Sequence, residues 1–254
     1  MASPKEEKED PPDESWMGTF ADTITLLMAF FVMLLTFSEF DIPAYEELSS
    51  AMASTVGGRE QLTSSQSLKI DVEDIIYQSQ ADKVVSVGSD EKGVTIELQT
   101  NAFFKPASAD IVQAAIPILE KLSDTLASPN YELYNVVVEG HTDDGKIKTA
   151  KFPSNWELST GRASTIVRIL EKNDVARERL QAAGYADTRP KVANLDLEGK
   201  PIPENRATNR RVIMRLNLMS LDERDAYLFE QELKRQKQEA KAIAQPKKTT
   251  SIPE

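Results

Sequence analysis

The sequence predicts an α+β protein: a single N-terminal transmembrane helix followed by an α/β sandwich with a mixed sheet and helices on one face. Two observations carry that prediction. Met17–Ser38 is a 22-residue apolar run holding one charge, Asp22. Beyond it, from Asp71 to Met219, strand-like runs of period two alternate with helix-like runs of longer period. Elements interleaved in this way build a sheet with helices packed on it. The expected division is a tail (1–15), the span (16–40), a short helix and linker (41–70), one domain (71–219) and a charged helical extension with its tail (220–254). About 150 residues suffice for one sound core.

Composition narrows the function classes. The 254 residues carry 41 acidic and 30 basic side chains, a net charge of −11. No basic excess exists to release counterions from a phosphate backbone, so no nucleic acid is expected as partner. There is no cysteine and one histidine, which excludes thiolate chemistry, iron–sulfur clusters and the usual zinc sites. No metal site is expected.

The apolar run makes a helix about 33 Å long at 1.5 Å per residue, enough to cross a hydrocarbon core. A cleaved signal peptide needs a basic start and a small-residue cleavage site. Here the preceding residues are acidic, and the run exits into Glu39-Phe40-Asp41, so an uncleaved anchor is expected. Loop charge barely favours an inside N-terminus. A carboxylate in the bilayer costs about 2.5–3.5 kcal/mol on the gentler insertion scales, and no Lys or Arg in the run neutralises Asp22. Gly18, Asp22, Thr25, Ala29 and Thr36 lie within about 40° of one line down the helix, a small and hydroxyl-bearing stripe that suits a helix–helix seam. Two readings stand. Asp22 sits at the interface, snorkelling or capping a helix that starts at Thr23, or it is a seam carboxylate that binds and releases a small cation, with Thr25 and Ala29 along the ion path.

After the span, Asp41-Ile42-Pro43 has the form of an N-cap followed by an early helical proline. Ile42, Tyr45, Leu48 and Met52 then make a short apolar stripe, suited to a membrane surface, a partner or a plain stalk. Gly57-Gly58 ends it, and a polar linker runs to about Lys69. In the domain, Asp71–Gln80 reads as a helix, and Val84–Val87 and Val94–Gln99 as strands. Ala109–Ala127 follows as a helix, Tyr134–Glu139 as a strand, Trp156–Glu171 as a helix, then Leu180–Gly184 and Val212–Leu218 as strands. Ser220–Ala244 has high helix propensity and dense charge of both signs, ending before Pro246.

Polar residues gather where these elements meet. Val136–Asp143 takes a buried strand into a polar loop, Ser154–Arg162 opens a helix, and Asn205–Arg211 precedes the last strand. Asp143 at a strand end and Arg162 in the next helix have the chemistry to grip a zwitterion, carboxylate to ammonium and guanidinium to carboxylate. Each also has a plain structural reading: a turn aspartate, a helix surface charge, an ion-pair network in Asn209-Arg210-Arg211. Enzyme chemistry finds no support. His141 has no nucleophile elbow or second metal ligand beside it, Asp143-Asp144 are adjacent loop residues that diverge, and no phosphate-cradling glycine loop occurs.

Gly140-His141-Thr142-Asp143, Asn155 with Leu158-Ser159 and Arg162-Ala163, Gly184-Tyr185-Ala186-Asp187 before Pro190, and Asn205 with Asn209-Arg210-Arg211-Val212 occur in the order that resembles OmpA-like peptidoglycan-binding domains. Trp16-Met17, Thr19-Phe20-Ala21-Asp22, Phe30-Phe31-Val32, Ser38-Glu39 and Phe152-Pro153-Ser154-Asn155-Trp156 resemble the MotB/PomB family of flagellar stator proteins. The resemblance implies a bacterial inner-membrane protein with a cytoplasmic N-terminus and a periplasmic domain. It implies a homodimer whose helices stand inside a ring of a multi-span MotA/PomA-type subunit, which in turn meets the flagellar rotor. Asp22 then matches the ion-carrying aspartate. Asp143 and Arg162 match the residues that hold the diaminopimelate of peptidoglycan, with Thr142, Asn155, Leu158 and Arg210 at surrounding motif positions. The stripe Ile42, Tyr45, Leu48 and Met52 corresponds to the family's plug. No cofactor is implied beyond the transported Na+ or H+.

Phe20-Ala21-Asp22 with Phe37-Ser38-Glu39-Phe40-Asp41 is similar to sodium-type members, while one carboxylate serves a proton equally. A neutral oxygen such as that of Thr25 suits sodium, though a hard cation needs several oxygens. Two other readings stay open: a single-span wall tether without transport, and an ion-driven stator-like subunit of an envelope or defence complex. The spacer between span and domain is short for a release of the domain on activation, and the motifs do not require residues 220–254.

Overall fold

The computed structural model describes residues 15–37, 63–90 and 93–244; the stripe Ile42, Tyr45, Leu48 and Met52 lies outside them. The chain divides into two units, Met1–Asp41 and Ile42–Glu254. The first holds helix α1, Ser15–Phe37. Its segment Trp16–Leu35 is long and apolar enough to cross a membrane, with mean hydropathy 1.9, and every side chain in it is exposed in the single chain. The threonine hydroxyls donate to the helix's own backbone: Thr19 to the Trp16 carbonyl at 2.9 Å, Thr23 to Thr19 at 2.8 Å, and Thr25 to Ala21. Such bonds satisfy these three hydroxyl protons within the helix itself.

The first described element of the second unit is α2, Ser64–Gln78, opened by a capping box in which Thr63 and Gln66 satisfy each other's backbone N–H. Residues 64–69, read above as linker, form its first turns, and Leu68 is already fully buried. The strands are β1 (Val85–Asp90), β2 (Gly93–Gln99), β3 (Tyr134–Gly140), β4 (Leu180–Gly184) and β5 (Arg211–Leu218). They lie in the order β1-β2-β5-β3-β4. β3 and β4 are parallel and the other pairings antiparallel. The sheet is therefore mixed, as alternation of strands and helices predicts.

Alternation also decides which face is covered. Val94, Ile96 and Leu98 of β2, Val136 and Val138 of β3, and Val212, Met214 and Leu216 of β5 share one buried face. Against it pack α2, α4 (Ile116–Ala127) and α5 (Asn155–Lys172), through residues such as Leu68, Leu119, Leu122, Ala163, Ile166 and Leu170. The opposite face carries Glu139, Arg215 and Asn217, which line a polar cleft of about 740 Å³ with Tyr185 and Arg189. Short helices α3 (Thr100–Phe103) and α6 (Pro203–Asn209) make corners, and α7 (Leu221–Ala244) follows β5.

One predicted helix is shorter than its apolar spacing suggested. Ala109–Ala127 becomes helical only at Ile116, after a 3-10 turn at Gln113–Ala115. Pro117 stands in the first turn, the place where a missing N–H costs nothing. Ahead of it, Phe104 and Ile111 form an antiparallel bridge.

Arg179 ties the lower end of the sheet together. It is 3% exposed; its Nε donates to the Tyr134 carbonyl at 2.8 Å and its two terminal nitrogens to Leu126 at 2.9 Å and Tyr131 at 2.7 Å. Burial pulls its pKa down. Losing the guanidinium strands three buried carbonyls, each worth about 1–3 kcal/mol when unsatisfied and partly recoverable by water. Arg179→Met is expected to destabilise the domain by about 3 kcal/mol, read as a lower urea midpoint in circular dichroism at unchanged m-value.

Candidate functional site

The site forms where the N-terminal half of α5 meets the ends of β3 and β4. That approach is close because both strands end in glycine. A Cβ on Gly140 would stand 2.1 Å from the Ser159 carbonyl oxygen, and one on Gly184 would stand 2.1 Å from the Thr160 hydroxyl. Ser159 fastens the contact: its hydroxyl accepts from the Ala186 N–H at 3.1 Å and donates to the Trp156 carbonyl at 3.0 Å. The loop after β3 continues the sheet, with His141 N–H donating to the Arg211 carbonyl and Thr142 N–H to Ala186, at 2.9 and 2.8 Å. Asp143 is thereby delivered to the end of the sheet beside α5. A capping box opens that helix, with Ser154 and Glu157 as partners.

Asp143, Arg162 and Arg210 come together there. One Asp143 oxygen meets Arg210 at 2.5 Å and the other accepts from Gly145 N–H at 3.1 Å. Arg162 is 4% exposed. Its Nε donates to the Ser108 carbonyl at 2.9 Å, and its guanidinium lies 5.6 Å from the centre of the Phe104 ring. Burial, aided by the nearby Arg210 charge and opposed by Asp143, pushes Arg162 down to about 10. Arg162 is thus a buried cation with no carboxylate in hydrogen-bond contact among the described residues. Two cations around one carboxylate leave the cluster net positive, an arrangement that accepts an incoming anionic group while Asp143 offers an oxygen to a cationic one.

The surrounding positions behave differently. Asn155 Nδ2 donates to the carbonyls of Asp143 and Gly145 at 3.2 and 3.0 Å, clipping the loop. The Thr142 hydroxyl donates to the Asp143 carbonyl at 3.0 Å and is nearly buried. Leu158 packs with Ala109 and Phe152 in a small apolar cluster. These three shape the loop. Beside them Arg206 grips Asp144 with two bonds, 2.7 and 2.8 Å, and holds that carboxyl below the usual range.

Ser108, Phe104, Gly145 and Arg206 belong to the site although sequence reasoning did not single them out. Gly145 had a signal in its turn position; Ser108 had none, since it lies 54 positions from Arg162. His141 is structural: 2% exposed, stacked on Tyr185 at 5.5 Å, with Glu139 3.6 Å from its Nε2. Burial raises the Glu139 carboxyl, but His141 and Arg215 outweigh it and hold it below its ordinary value. Asp22, Thr25 and Ala29 lie on α1, exposed in the single chain. Among the described residues no cluster of three or more His, Cys, Asp or Glu side chains is placed to hold a metal.

Comparison with known proteins gives two matched regions. Residues 103–202 match the OmpA family, and residues 2–56 match the family described as Membrane MotB of proton-channel complex MotA/MotB. Asp143 and Arg162 fall within the first and Asp22 within the second, while Arg210 lies beyond both. The chain is 29% identical over 225 residues to Uncharacterized protein YtxE of Bacillus subtilis, covering 81% of this chain and 89% of that protein. It is 25% identical over 248 residues to Motility protein B of the same organism, covering 82% and 92%. Among solved structures, the cell wall anchor of the T6SS from Pseudomonas aeruginosa superposes with a TM-score of 0.51 at 26% identity, covering 59% of this chain and 99% of that one.

Charged Arg162 costs the folded, unliganded domain free energy, because its folded pKa lies below its unfolded one. Arg162→Met keeps the contact with Phe104 and removes the buried charge, at the loss of the bond to Ser108. The expected result is a domain about 1–2 kcal/mol more stable at pH 7, seen as a higher urea midpoint.

Proposed function

From the premise that this chain is MotB-like, a MotB segment joined to an OmpA-family domain, and not an enzyme, we propose that it is a stator subunit of a flagellar motor. Cation passage past Asp22 drives a conformational cycle while the OmpA-family domain holds the complex to peptidoglycan. The observation that carries this reading is the coexistence, in one chain, of a lone carboxylate on an apolar membrane-length helix and the Asp143–Arg162–Arg210 cluster on a separate domain.

A carboxylate in hydrocarbon is tolerated when neutralised. Binding a cation neutralises Asp22 and releasing it restores the charge, so each passage changes the free energy of the helix against its neighbours. Two copies of α1 stand inside a ring of MotA/PomA-type subunits, which pass the motion to the rotor. The N-terminus is cytoplasmic and the domain periplasmic. The cation is a proton or sodium. A single carboxylate suffices for the proton named in the family's description. The Phe20-Ala21-Asp22 pattern favours sodium, for which Thr25 and partner groups would add oxygens.

At the wall, the ligand is the zwitterionic end of diaminopimelate. Its ammonium meets Asp143, and its carboxylate meets Arg162 as a charge-assisted pair. Arg210 holds the Asp143 carboxylate in place. Asn155, Thr142 and Leu158 keep the loop in position. The stripe Ile42, Tyr45, Leu48 and Met52 acts as the plug that shuts the ion path.

A second reading, a wall tether without transport, is favoured by the similarity to the T6SS wall anchor. Asp22→Asn separates the two. Under the stator reading it abolishes motility in swim plates while membrane insertion and wall binding persist; a motile mutant refutes ion coupling. Wild-type motility that disappears in sodium-free medium identifies sodium as the ion, and motility that persists there identifies the proton. Asp143→Ala or Arg162→Ala is expected to lower retention on isolated peptidoglycan at least about tenfold, from the loss of charge-assisted bonds worth about 1.5–3 kcal/mol each. Unchanged retention in both variants excludes this cluster as the wall site.

A further inference from the structure

The open face of the sheet holds a cleft that wall binding through Asp143 and Arg162 leaves unused. Its volume of about 740 Å³ lies within the range of about 300–1,000 Å³ of small-ligand sites. Strand register makes the room. Asn217 pairs with Gly93 and Glu139 with Ala183, so small residues stand beside long polar ones. Val137 is the aliphatic residue of the lining, and Glu139, Gln181, Tyr185, Arg189 and Asn217 supply hydrogen-bonding groups. Among the described residues, four of the six buried side-chain atoms without a hydrogen-bond partner belong to this face: Asn217 Oδ1, Arg211 Nε and both ring nitrogens of His141. Unpaired polar atoms gathered on one face, with Asn217 in the lining itself, mark a place that meets groups from outside the fold.

Charge in the cleft selects the sign of its ligand. Arg215 engages both carboxylates, with its Nε 3.1 Å from Glu139 and its Nη1 donating to Asp90. Arg189 is different: it is exposed, its guanidinium lies 3.7 Å from the centre of the Tyr185 ring, and it meets no carboxylate among the described residues. Its backbone is fixed, since Arg211 Nη2 donates to the Arg189 carbonyl at 3.2 Å. The uncommitted charge is therefore a cation, suited to an anionic group. Other ligand classes fit poorly. β3 and β5 are interior strands with backbone groups spent on their neighbours, so an extended peptide finds no free edge on them. The Tyr185 ring is already in contact with His141 and Arg189, which leaves a nucleobase no unoccupied ring in the lining to stack on. An apolar ligand would strand the amides of Gln181 and Asn217. A ring bearing hydroxyl and amide groups and one carboxylate satisfies all of them.

We propose that this cleft binds an N-acetylated amino sugar carrying a carboxylate, the muramic-acid unit of a peptidoglycan glycan strand. Arg189 takes the carboxylate, and Asn217 and Gln181 take the hydroxyl and acetamido groups. Arg215 holds Glu139 and Asp90 as acceptors for further hydroxyls. The peptide stem is attached to the glycan through that same carboxyl, so the cleft selects glycan from which the stem has been removed. The Asp143 cluster, where α5 meets the strand ends, takes the stem. That the sugar comes from the wall rests on the wall-binding reading above; the chemistry of the cleft does not.

Calorimetric titration of the full-length chain in detergent micelles tests this with three probes. They are the stem-free disaccharide of N-acetylglucosamine and N-acetylmuramic acid, the neutral disaccharide of N-acetylglucosamine alone, and diaminopimelate. The stem-free disaccharide is expected to bind saturably, and the neutral one at least about tenfold more weakly, the loss of one charge-assisted bond. Arg189→Gln is expected to weaken the stem-free disaccharide by the same factor, with diaminopimelate binding and the far-UV circular dichroism unchanged. Asp143→Ala is expected to do the reverse, losing diaminopimelate and keeping the disaccharide. Disaccharide binding without diaminopimelate binding in the wild type overturns the wall-site reading of Asp143 and supports this one. No saturable disaccharide binding by the wild type, equal binding of the neutral disaccharide, or wild-type affinity in Arg189→Gln overturns the proposal. Loss of disaccharide binding in Asp143→Ala overturns it as well.

Discussion

The contact on which the candidate site depends is the approach of helix α5 to the ends of β3 and β4. Gly140 and Gly184 permit it, since any side chain at either position would stand inside the van der Waals envelope of Ser159 or Thr160. Ser159 then binds both its own helix and the backbone of Ala186. With that seam closed, the loop carrying Asp143 has one path, between the extension of β4 and the start of β5. The same seam brings Arg162 against Ser108 and Phe104. The cluster of one carboxylate and two arginines is produced by helix–sheet packing, with little freedom left to the loop.

Electrostatics at this place run against stability. Arg162 is buried without a carboxylate of its own, Arg210 stands near it, and Asp143 is already engaged by Arg210. A domain built for stability alone would place an apolar side chain at 162. Arg179 shows the contrast: it is equally buried, but three backbone carbonyls surround it and nothing is left for a ligand. Two buried arginines in one fold thus differ in how far the backbone satisfies them: one bond to a carbonyl for Arg162 and three for Arg179.

The membrane helix repeats this logic in another solvent. Thr19, Thr23 and Thr25 satisfy their hydroxyl protons against their own backbone, and Asp22 is the one charged side chain in the apolar run, where its charge demands a response from outside the helix.

Local pattern was enough for much of this protein. Period-two alternation located the strands, and β4 was placed at Leu180–Gly184, as it is found. The polar run from Ser154 marked the opening of α5, and the 22-residue apolar run from Met17 announced α1. Asp143 and Arg162 were legible as a pair by their chemistry, and Arg210 only as a neighbouring motif position implied by the family resemblance. Two misplacements had readable causes: Pro117 marked the start of α4, and Thr63 with Gln66 marked that of α2. Tertiary structure alone decided that Asp143 pairs with Arg210, 67 positions away, and that Arg162 bonds to Ser108 instead of to Asp143. The reason is physical. Periodicity and capping are set by neighbours within a few residues, whereas charge pairing depends on strand order, and the order β1-β2-β5-β3-β4 is set by the packing of the whole sheet.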